Sequence, residues 1–289
     1  MRRLIAGMAG ILVAATMPHA RAAAQQQQAA ASSTAAQQPA ASPAATDDRT
    51  LRVCADPDNL PFSNQQQEGF ENKIAKVLAD ELGGTVTYNW WPQRRGFIRN
   101  TLRARECDIL IGVPRGFDPV LETKPYYRST YYFVTRADRN LHITSLDDPA
   151  LKKLKIGVNM IGEDYTNTPP AHALGARGVQ VYRGYSTFYN AEQRPQDIID
   201  AVAKGDIDVA IVWGPLAGYY AKREPVALSL VPLPDSVDRT GFPFAYDIAL
   251  GVRRSDKELK ARVEAALDRR SADIARILRE YDVPTLDHP

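Results

Sequence analysis

Residues 51–90 alternate between β-type runs and a segment whose apolar positions have helical spacing. Residues 51–55 predict a short strand, and residues 85–91 predict a second one because they are rich in β-branched and aromatic side chains. The segment between them predicts a helix that ends at the Gly-Gly pair 83–84. Its single apolar face consists of Phe70, Ile74, Val77, Leu78 and Leu82.

The same order of elements continues along the chain and then recurs. A helix over 97–105 and a continuous apolar strand over 108–113 complete a βαβαβ unit, which favours a mostly parallel sheet flanked by helices. A second unit has predicted strands at 154–159, 179–182 and 208–213, a helix or loop from Gly162, and a helix over 195–204 between Pro195 and Gly205. The two units predict an α/β protein with two similar lobes.

Two extended runs lie outside these units. Residues 131–136 lead from the first unit to the second, and residues 245–252 return after the second. Two strands that join two lobes predict a hinge with a cleft beside it. We therefore expect lobe 1 to comprise residues 49–136 plus 248–289, and lobe 2 to comprise residues 140–245.

The C-terminal residues 255–284 have a helical pattern. Ser255 and Glu258 predict a capping box at the entry, and Pro284 ends the helical region. The apolar positions fall in two stripes, Leu259, Val263 and Leu267, then Ile274, Ile277, Leu278 and Tyr281.

The N-terminal residues have the pattern of an export signal. Arg2 and Arg3 precede a short apolar stretch and small-residue cleavage sites, which predicts a signal peptide over residues 1–24 and a periplasmic location. A membrane anchor is disfavoured because the apolar stretch is too short to span a bilayer. Residues 25–48 are dominated by Ala, Gln, Ser, Thr and Pro and predict a disordered tether.

Composition excludes several classes of protein. With 36 Lys and Arg against 34 Asp and Glu, the formal charge is +2, and it is −1 without the three arginines of the signal segment. This balance disfavours a nucleic-acid binder. Two cysteines cannot form a disulfide scaffold, and no apolar run beyond the signal predicts a membrane span.

Seven sequence pieces, in this order, resemble the family 3 periplasmic solute-binding proteins. They are residues 51–62, GFENKIA from Gly69, CDILIG from Cys107, TKPYY from Thr123, LKIGV from Leu154, GDIDVAIV from Gly205 and YDIALGV from Tyr246. The resemblance implies a two-lobed periplasmic-binding-protein fold of type II, which closes on a small molecule at a two-strand hinge.

Three further strings resemble the MoxJ/XoxJ branch of that family. They are CADPDNLPFS from Cys54, WWPQRRGF from Trp90 and WGPLAGY from Trp213. This resemblance implies a periplasmic accessory protein of methanol oxidation, associated with dehydrogenases that use pyrroloquinoline quinone (PQQ). Amino-acid binders of the family place an Asp where Trp213 stands and a carboxylate-binding Arg near Arg115, which is out of register. Ordinary amino-acid capture is therefore disfavoured.

Ligands of open α/β sheets collect beyond the carboxyl ends of the strands. That rule predicts a cleft lined by Asp56, Asn59, Phe62, Trp91, Gln93, Arg94, Arg115, Glu163, Asp164, Trp213 and Asp247. The structural alternative is that Trp90 and Trp91 pack inside a lobe and that Arg94 and Arg95 form a solvated face.

Catalysis and metal binding have little support in the sequence. Beyond the signal segment the histidines are His142, His172 and His288, which are scattered, and no hydrolase, zincin or P-loop motif occurs. The oxygen-rich start at Asp56 departs from an EF-hand loop, with Pro61 where Gly is needed. We expect no cofactor and a binding role.

Three functions remain to be compared. The first is a non-enzymatic accessory protein that binds a PQQ-dependent alcohol dehydrogenase, a small molecule or both. The second is a solute receptor that delivers an amino-acid-like or other small polar ligand to an ABC permease. The third, an enzyme of the related dehydratase type, requires acid–base residues in the cleft, and none can be assigned.

Cys54 and Cys107 leave one question open. Export favours a bridge between them. However, Cys54 lies late in one predicted strand and Cys107 lies before the neighbouring parallel strand, and this stagger could exceed the Cα separation of about 7 Å that a disulfide allows.

Overall fold

The computed structural model describes residues 50–161, 166–190 and 192–287. The predicted signal peptide and tether lie outside the described residues, as do Glu163, Asp164 and His288.

Strands and helices alternate along the described chain. The strands are β1 (Thr50–Ala55), β2 (Asp58–Asn59), β3 (Ser63–Asn64), β4 (Thr85–Trp90), β5 (Ile109–Pro114), β6 (Leu121–Glu122), β7 (Tyr127–Arg136), β8 (Ile156–Ile161), β9 (Thr166–Asn167), β10 (Arg183–Ser186), β11 (Val209–Trp213), β12 (Leu228–Pro232) and β13 (Ala245–Val252). The α-helices are α1 (Phe70–Glu81), α2 (Phe97–Asn100), α3 (Pro169–Ala176), α4 (Asp197–Lys204), α5 (Gly214–Ala221), α6 (Lys257–Arg269) and α7 (Ser271–Glu280). Short 3₁₀ turns occupy Ala137–Arg139 and Pro149–Lys153.

The main sheet has the strand order β10-β8-β11-β7-β13-β5-β1-β4. At one end β1 pairs in parallel with β4 and β5, and at the other end β8 pairs in parallel with β10 and β11. The two central strands, β7 and β13, pair antiparallel with each other and with their neighbours β11 and β5. The predicted α/β architecture with mostly parallel strand groups is confirmed.

Strand β7 belongs to both halves of the sheet. Its first residues, Tyr127–Thr130, pair with β13, whereas Tyr131–Arg136 pair with β11 and β12. The two extended runs that the sequence predicts as connectors are therefore the central strands through which the two parallel groups are joined.

Helices cover the sheet because alternate side chains of the central strands are buried on opposite faces. On β7, Phe133 packs in the cluster that contains Leu174 of α3, and Val134 packs in the cluster that contains Ile198 of α4. At the other end of the sheet, α1, α6 and α7 share one core with β1, β5 and β13. Fully buried Phe70 and Ile74 of α1 belong to that core, as the helical spacing predicts.

Two predicted elements are shorter or displaced in the structure. The strand predicted at 179–182 is wrong, because Val179 N–H bonds to Leu174 O at the end of α3. The first main-chain hydrogen bond to β8 comes from Tyr182 N–H to Ile156 O at 2.9 Å, and strand β10 begins at Arg183. The helix predicted over 97–105 stops at Asn100, where the Thr101 hydroxyl donates to Phe97 O at 2.7 Å.

The C-terminal region forms two helices, α6 and α7, which meet at Arg270. The predicted capping box is wrong, because the helix begins after Asp256 and the Ser255 hydroxyl donates to the Asp256 carboxylate at 2.7 Å. The sequence leaves the segment that contains α3 open as a helix or a loop, and it does not predict α5 or β12.

Cys54 and Cys107 form a disulfide, with Cα atoms 5.3 Å apart. The stagger that the sequence indicates does not separate them, because the chain already runs beside β1 before β5 begins. There Asp108 N–H donates to Arg52 O at 2.7 Å. Both cysteines are buried in an apolar cluster with Phe97 and Leu102.

We expect the double substitution of Cys54 and Cys107 by Ser to lower the free energy of unfolding by about 2–4 kcal/mol, because the bridge restricts the unfolded chain. Denaturant titration of the variant and of the oxidised parent measures the difference. Thiol titration of the denatured, non-reduced parent is the control, and two reactive thiols there would exclude the bridge.

Candidate functional site

A cavity of about 480 Å³ opens where the carboxyl ends of the two parallel strand groups meet the central strands. It is lined by Asn59, Phe62, Glu71, Gln93, Gly112, Pro114, Tyr127, Tyr131, Ile161, Pro169, Trp213, Tyr246 and Ile248. Both halves of the sheet contribute, since β1, β4 and β5 lead into one wall and β8 and β11 lead into the other.

Aromatic side chains make up much of the cavity surface. Trp213, at the end of β11, packs edge-on against Tyr131 of β7 at a centroid distance of 5.3 Å and against Tyr246 of β13 at 5.9 Å. Phe62 and Tyr127 add two more rings from the other half of the sheet. An apolar cavity with a few polar groups is what binding of a small molecule requires.

Glu71 is the one acidic residue among the described residues that line the cavity. It lies in the first turn of α1, and the residue is only 8% exposed. Burial, with a smaller contribution from the nearby Asp56 carboxylate, raises the pKa of Glu71 well above its ordinary value. Within the described residues no hydrogen-bond donor reaches this carboxyl group.

The Glu71 carboxyl group lies directly against the backbone of Gly112 in β5. A β-carbon at position 112 would lie 2.0 Å from Glu71 Oε1, and Gly112 has a φ of +84°. Both features require glycine at this position. The backbone of β5 thus closes one side of the space around the carboxyl group.

Four of the predicted cleft residues line this cavity: Asn59, Phe62, Gln93 and Trp213. Asp56 has a positioning role instead, because its carboxylate accepts from the N–H groups of Gln93 at 2.6 Å and Asp58 at 2.9 Å. Burial raises the pKa of Asp56, although both hydrogen bonds oppose that shift.

A second cavity of about 390 Å³ lies beside Asp56. Its lining includes Arg94, which is exposed, and Tyr189, which is partly buried. The cavity is bounded by the loop after β4 and by residues 186–190 and Gln193 at and beyond the end of β10, so it also lies between the two halves of the sheet. Arg94 therefore faces a neighbouring space rather than the aromatic cavity.

Three predicted cleft residues lie elsewhere. Trp91 packs against the cluster that contains the disulfide, which agrees with the alternative that this tryptophan packs inside a lobe. The Arg115 side chain is exposed, and its main-chain N–H donates to Asp247 O at 2.8 Å. The Asp247 carboxylate pairs with Arg128 at 3.0 Å.

Four lining residues are not predicted from the sequence, because they lie within elements rather than in the segments that follow strands: Glu71, Gly112, Tyr131 and Tyr246. Tyr246 and Ile248 both line the cavity, so strand alternation directs the Asp247 side chain away from it. The alternation of side-chain directions along the predicted strand 245–252 indicates that Asp247 and Tyr246 face opposite sides of the sheet. Glu71 could have been noticed as an acidic residue beside the apolar face of α1.

Comparison with known proteins identifies the family. Residues 51–283 match the model of the bacterial extracellular solute-binding proteins, family 3. The chain belongs to this family. The family 3 match covers both halves of the sheet and every described residue that lines the cavity.

Two curated relatives are similar over most of their length. Protein MoxJ of Paracoccus denitrificans is 35% identical over 256 residues, covering 84% of this chain and 92% of the relative. Protein MoxJ of Methylorubrum extorquens is 33% identical over 256 residues, covering 84% of each. Among solved structures, the periplasmic binding protein XoxJ of Methylobacterium extorquens AM1 has a TM-score of 0.67 and 38% identity, covering 82% of this chain and all of that one.

These similarities confirm the predicted resemblance and the periplasmic-binding-protein fold. In the part of the chain that the structure describes, no helix has the length and apolar character needed to cross a membrane. Over the same residues, no group of three or more metal-binding side chains comes together.

We expect Glu71→Gln to stabilise the protein at neutral pH and to lose this advantage near pH 4. The unfolded carboxyl group ionises near its ordinary pKa of 4.5, whereas the folded group has a raised pKa, so folding opposes ionisation and parent stability falls as pH rises between the two values. The gain is on the order of 1–3 kcal/mol at neutral pH.

Thermal unfolding from pH 4 to pH 8 measures this difference. Glu258→Gln is the matched control, because Glu258 is an exposed glutamate near the start of α6. A stability difference between Glu71→Gln and its parent that does not vary with pH would contradict the buried, ionisation-resistant carboxyl group.

Proposed function

We propose that this chain is a non-enzymatic periplasmic binding protein that serves a PQQ-dependent methanol or alcohol dehydrogenase. The observation that carries the proposal is Trp213. It stands at the end of β11, where the resemblance to amino-acid binders leads one to expect an acidic residue, and it packs against Tyr131 and Tyr246. The similarity to MoxJ proteins over most of their length supports the same role.

A non-enzymatic role fits the chemistry of the cavity. Among its described lining residues, Glu71 is the one carboxyl group, and no histidine, cysteine or lysine lies beside it to form an acid–base or nucleophilic pair. The remaining polar side-chain groups are amides, phenols and the indole N–H of Trp213. This set is suited to holding a molecule rather than to transforming it.

The proposal includes movement about the central strands. We place the hinge where β7 changes partners, between Thr130 and Tyr131. Residues 131–136, which the sequence assigns to lobe 1, pair with β11 and β12, so in this proposal they move with lobe 2 (residues 140–245) rather than with the rest of lobe 1. The Tyr220 hydroxyl donates to Leu60 O at 3.1 Å across the cleft, and an opening movement would break this contact.

Affinity capture with the purified protein tests the dehydrogenase role. We expect the immobilised protein to retain a quinoprotein dehydrogenase at low salt, identified by mass spectrometry and by its bound quinone. If the partner enters the cleft, Trp213→Ala reduces retention, whereas Tyr182→Ala, which removes an aromatic ring that is 60% exposed, does not. Failure to retain any quinoprotein dehydrogenase would exclude the partner role.

A second candidate is a solute receptor for an ABC importer. The observation in its favour is the aromatic cavity of about 480 Å³, a size that suits a small solute. A ligand that binds only the folded state stabilises it by RT ln(1 + [L]/Kd), about 2.7 kcal/mol at 100 times Kd. A thermal-shift screen of amino acids and polar metabolites therefore distinguishes it, since this function requires at least one stabilising solute.

A further inference from the structure

The unpartnered Glu71 carboxyl group gives the cavity a specific chemistry. Glu71 comes from α1 and faces the backbone of Gly112 in β5. Four titratable groups interact electrostatically with the Glu71 carboxyl group. They are the Asp56 carboxylate after β1, the Tyr88 phenol of β4, the Tyr126 phenol just before β7 and the Tyr127 phenol at the start of β7. None of these is a cation, so nothing among them compensates a negative charge on Glu71.

The surrounding rings would also favour a positive charge. Phe62, Tyr127, Tyr131, Trp213 and Tyr246 line the same cavity as Glu71. Aromatic faces attract ammonium groups, and the attraction is larger where water is excluded. An ammonium ion in this space would gain from the rings and from the carboxylate together, and it would supply the hydrogen-bond donors that Glu71 lacks.

The described lining residues of the cavity offer no cationic partner for a carboxylate. They include no Arg, Lys or His. Arg115 is exposed outside the cavity, and Arg128 is held by Asp235 at 2.6 Å and by Asp247 at 3.0 Å. A zwitterionic amino acid would therefore place its carboxylate among aromatic rings without a cationic partner.

We propose that this cavity binds an aliphatic ammonium group that carries no carboxylate, with Glu71 as its counter-ion and the aromatic rings around its alkyl chain. The inference rests on the proposed binding role of the cleft but not on the dehydrogenase. The ammonium group belongs either to a free amine or to a lysine side chain of a docked protein, since both present the same chemistry.

Isothermal titration of the purified protein tests the inference with butylammonium, 1-butanol and norleucine. The three share a butyl chain but differ in charge. We expect butylammonium to bind at least about tenfold more tightly than either of the others. Equal or tighter binding of 1-butanol would show that charge is not recognised, and tighter binding of norleucine would show that a carboxylate is accommodated. Either result overturns the proposal.

Substitution assigns the charge recognition to Glu71. Glu71→Gln keeps the side-chain size but removes the charge, so it should weaken butylammonium binding at least about tenfold. The exposed Glu258→Gln control should bind as the parent does. Unchanged binding by a folded Glu71→Gln variant would overturn the proposal.

The parent protein provides a second measurement that needs no variant. Butylammonium stays charged between pH 5 and pH 8, whereas Glu71 must lose its proton to pair with it. Affinity should therefore rise with pH, and titrations in buffers of different ionisation enthalpy should show proton release on binding. Affinity that is independent of pH, without proton release, would contradict the role of Glu71.

A blocked lysine, Nα-acetyl-lysine N-methylamide, distinguishes the two sources. Tighter binding of the blocked lysine than of butylammonium assigns the site to a docked lysine side chain, and the reverse order assigns it to a free amine. Both results support the ammonium site, whereas failure of both ligands to bind overturns it. These titrations use the isolated protein, so loss of dehydrogenase capture would not affect them.

Discussion

The antiparallel pairing of β7 with β13 is the constraint on which the architecture depends. Through these strands the parallel group around β1 and the parallel group around β8 become one sheet. The carboxyl ends of both groups face the place where β7 changes partners, between Thr130 and Tyr131. Loops and helix ends collect there because parallel strands leave their connections at the same edge. The cavity is therefore a consequence of topology before any ligand chemistry is added.

Alternation along the same two strands separates the structural residues from the cavity residues. Tyr246 and Ile248 of β13 face the cavity, whereas Asp247 between them is paired with Arg128 of β7. Arg128 also contacts Asp235, so one ion-pair network links both central strands to the segment that leads into β13. A substitution at Arg128 or Asp247 therefore affects the pairing of the two central strands, whereas a substitution at Tyr246 or Ile248 affects the cavity.

The sequence predicts the elements more reliably than it predicts which side chains enter the site. Helix α1 follows from hydrophobic periodicity because one face is buried while Lys73, Lys76 and Asp80 are exposed. Strand β5 follows from its continuous apolar run because most of its residues are buried. The strand predicted at 179–182 fails because tertiary pairing with β8 selects Arg183–Ser186. Periodicity also cannot identify Glu71 as a cavity residue, because its exposure depends on contacts between α1 and β5 that lie far apart in sequence.

The position of Glu71 has an energetic consequence for the whole site. A buried carboxyl group without a hydrogen-bond donor lowers the stability of the folded protein at neutral pH, and packing contacts elsewhere must offset that cost. Gly112 adds a second constraint, since its left-handed backbone leaves the space that the carboxyl group occupies. A buried carboxyl group that opposes folding at neutral pH is typical of a functional site, where binding chemistry takes precedence over local stability.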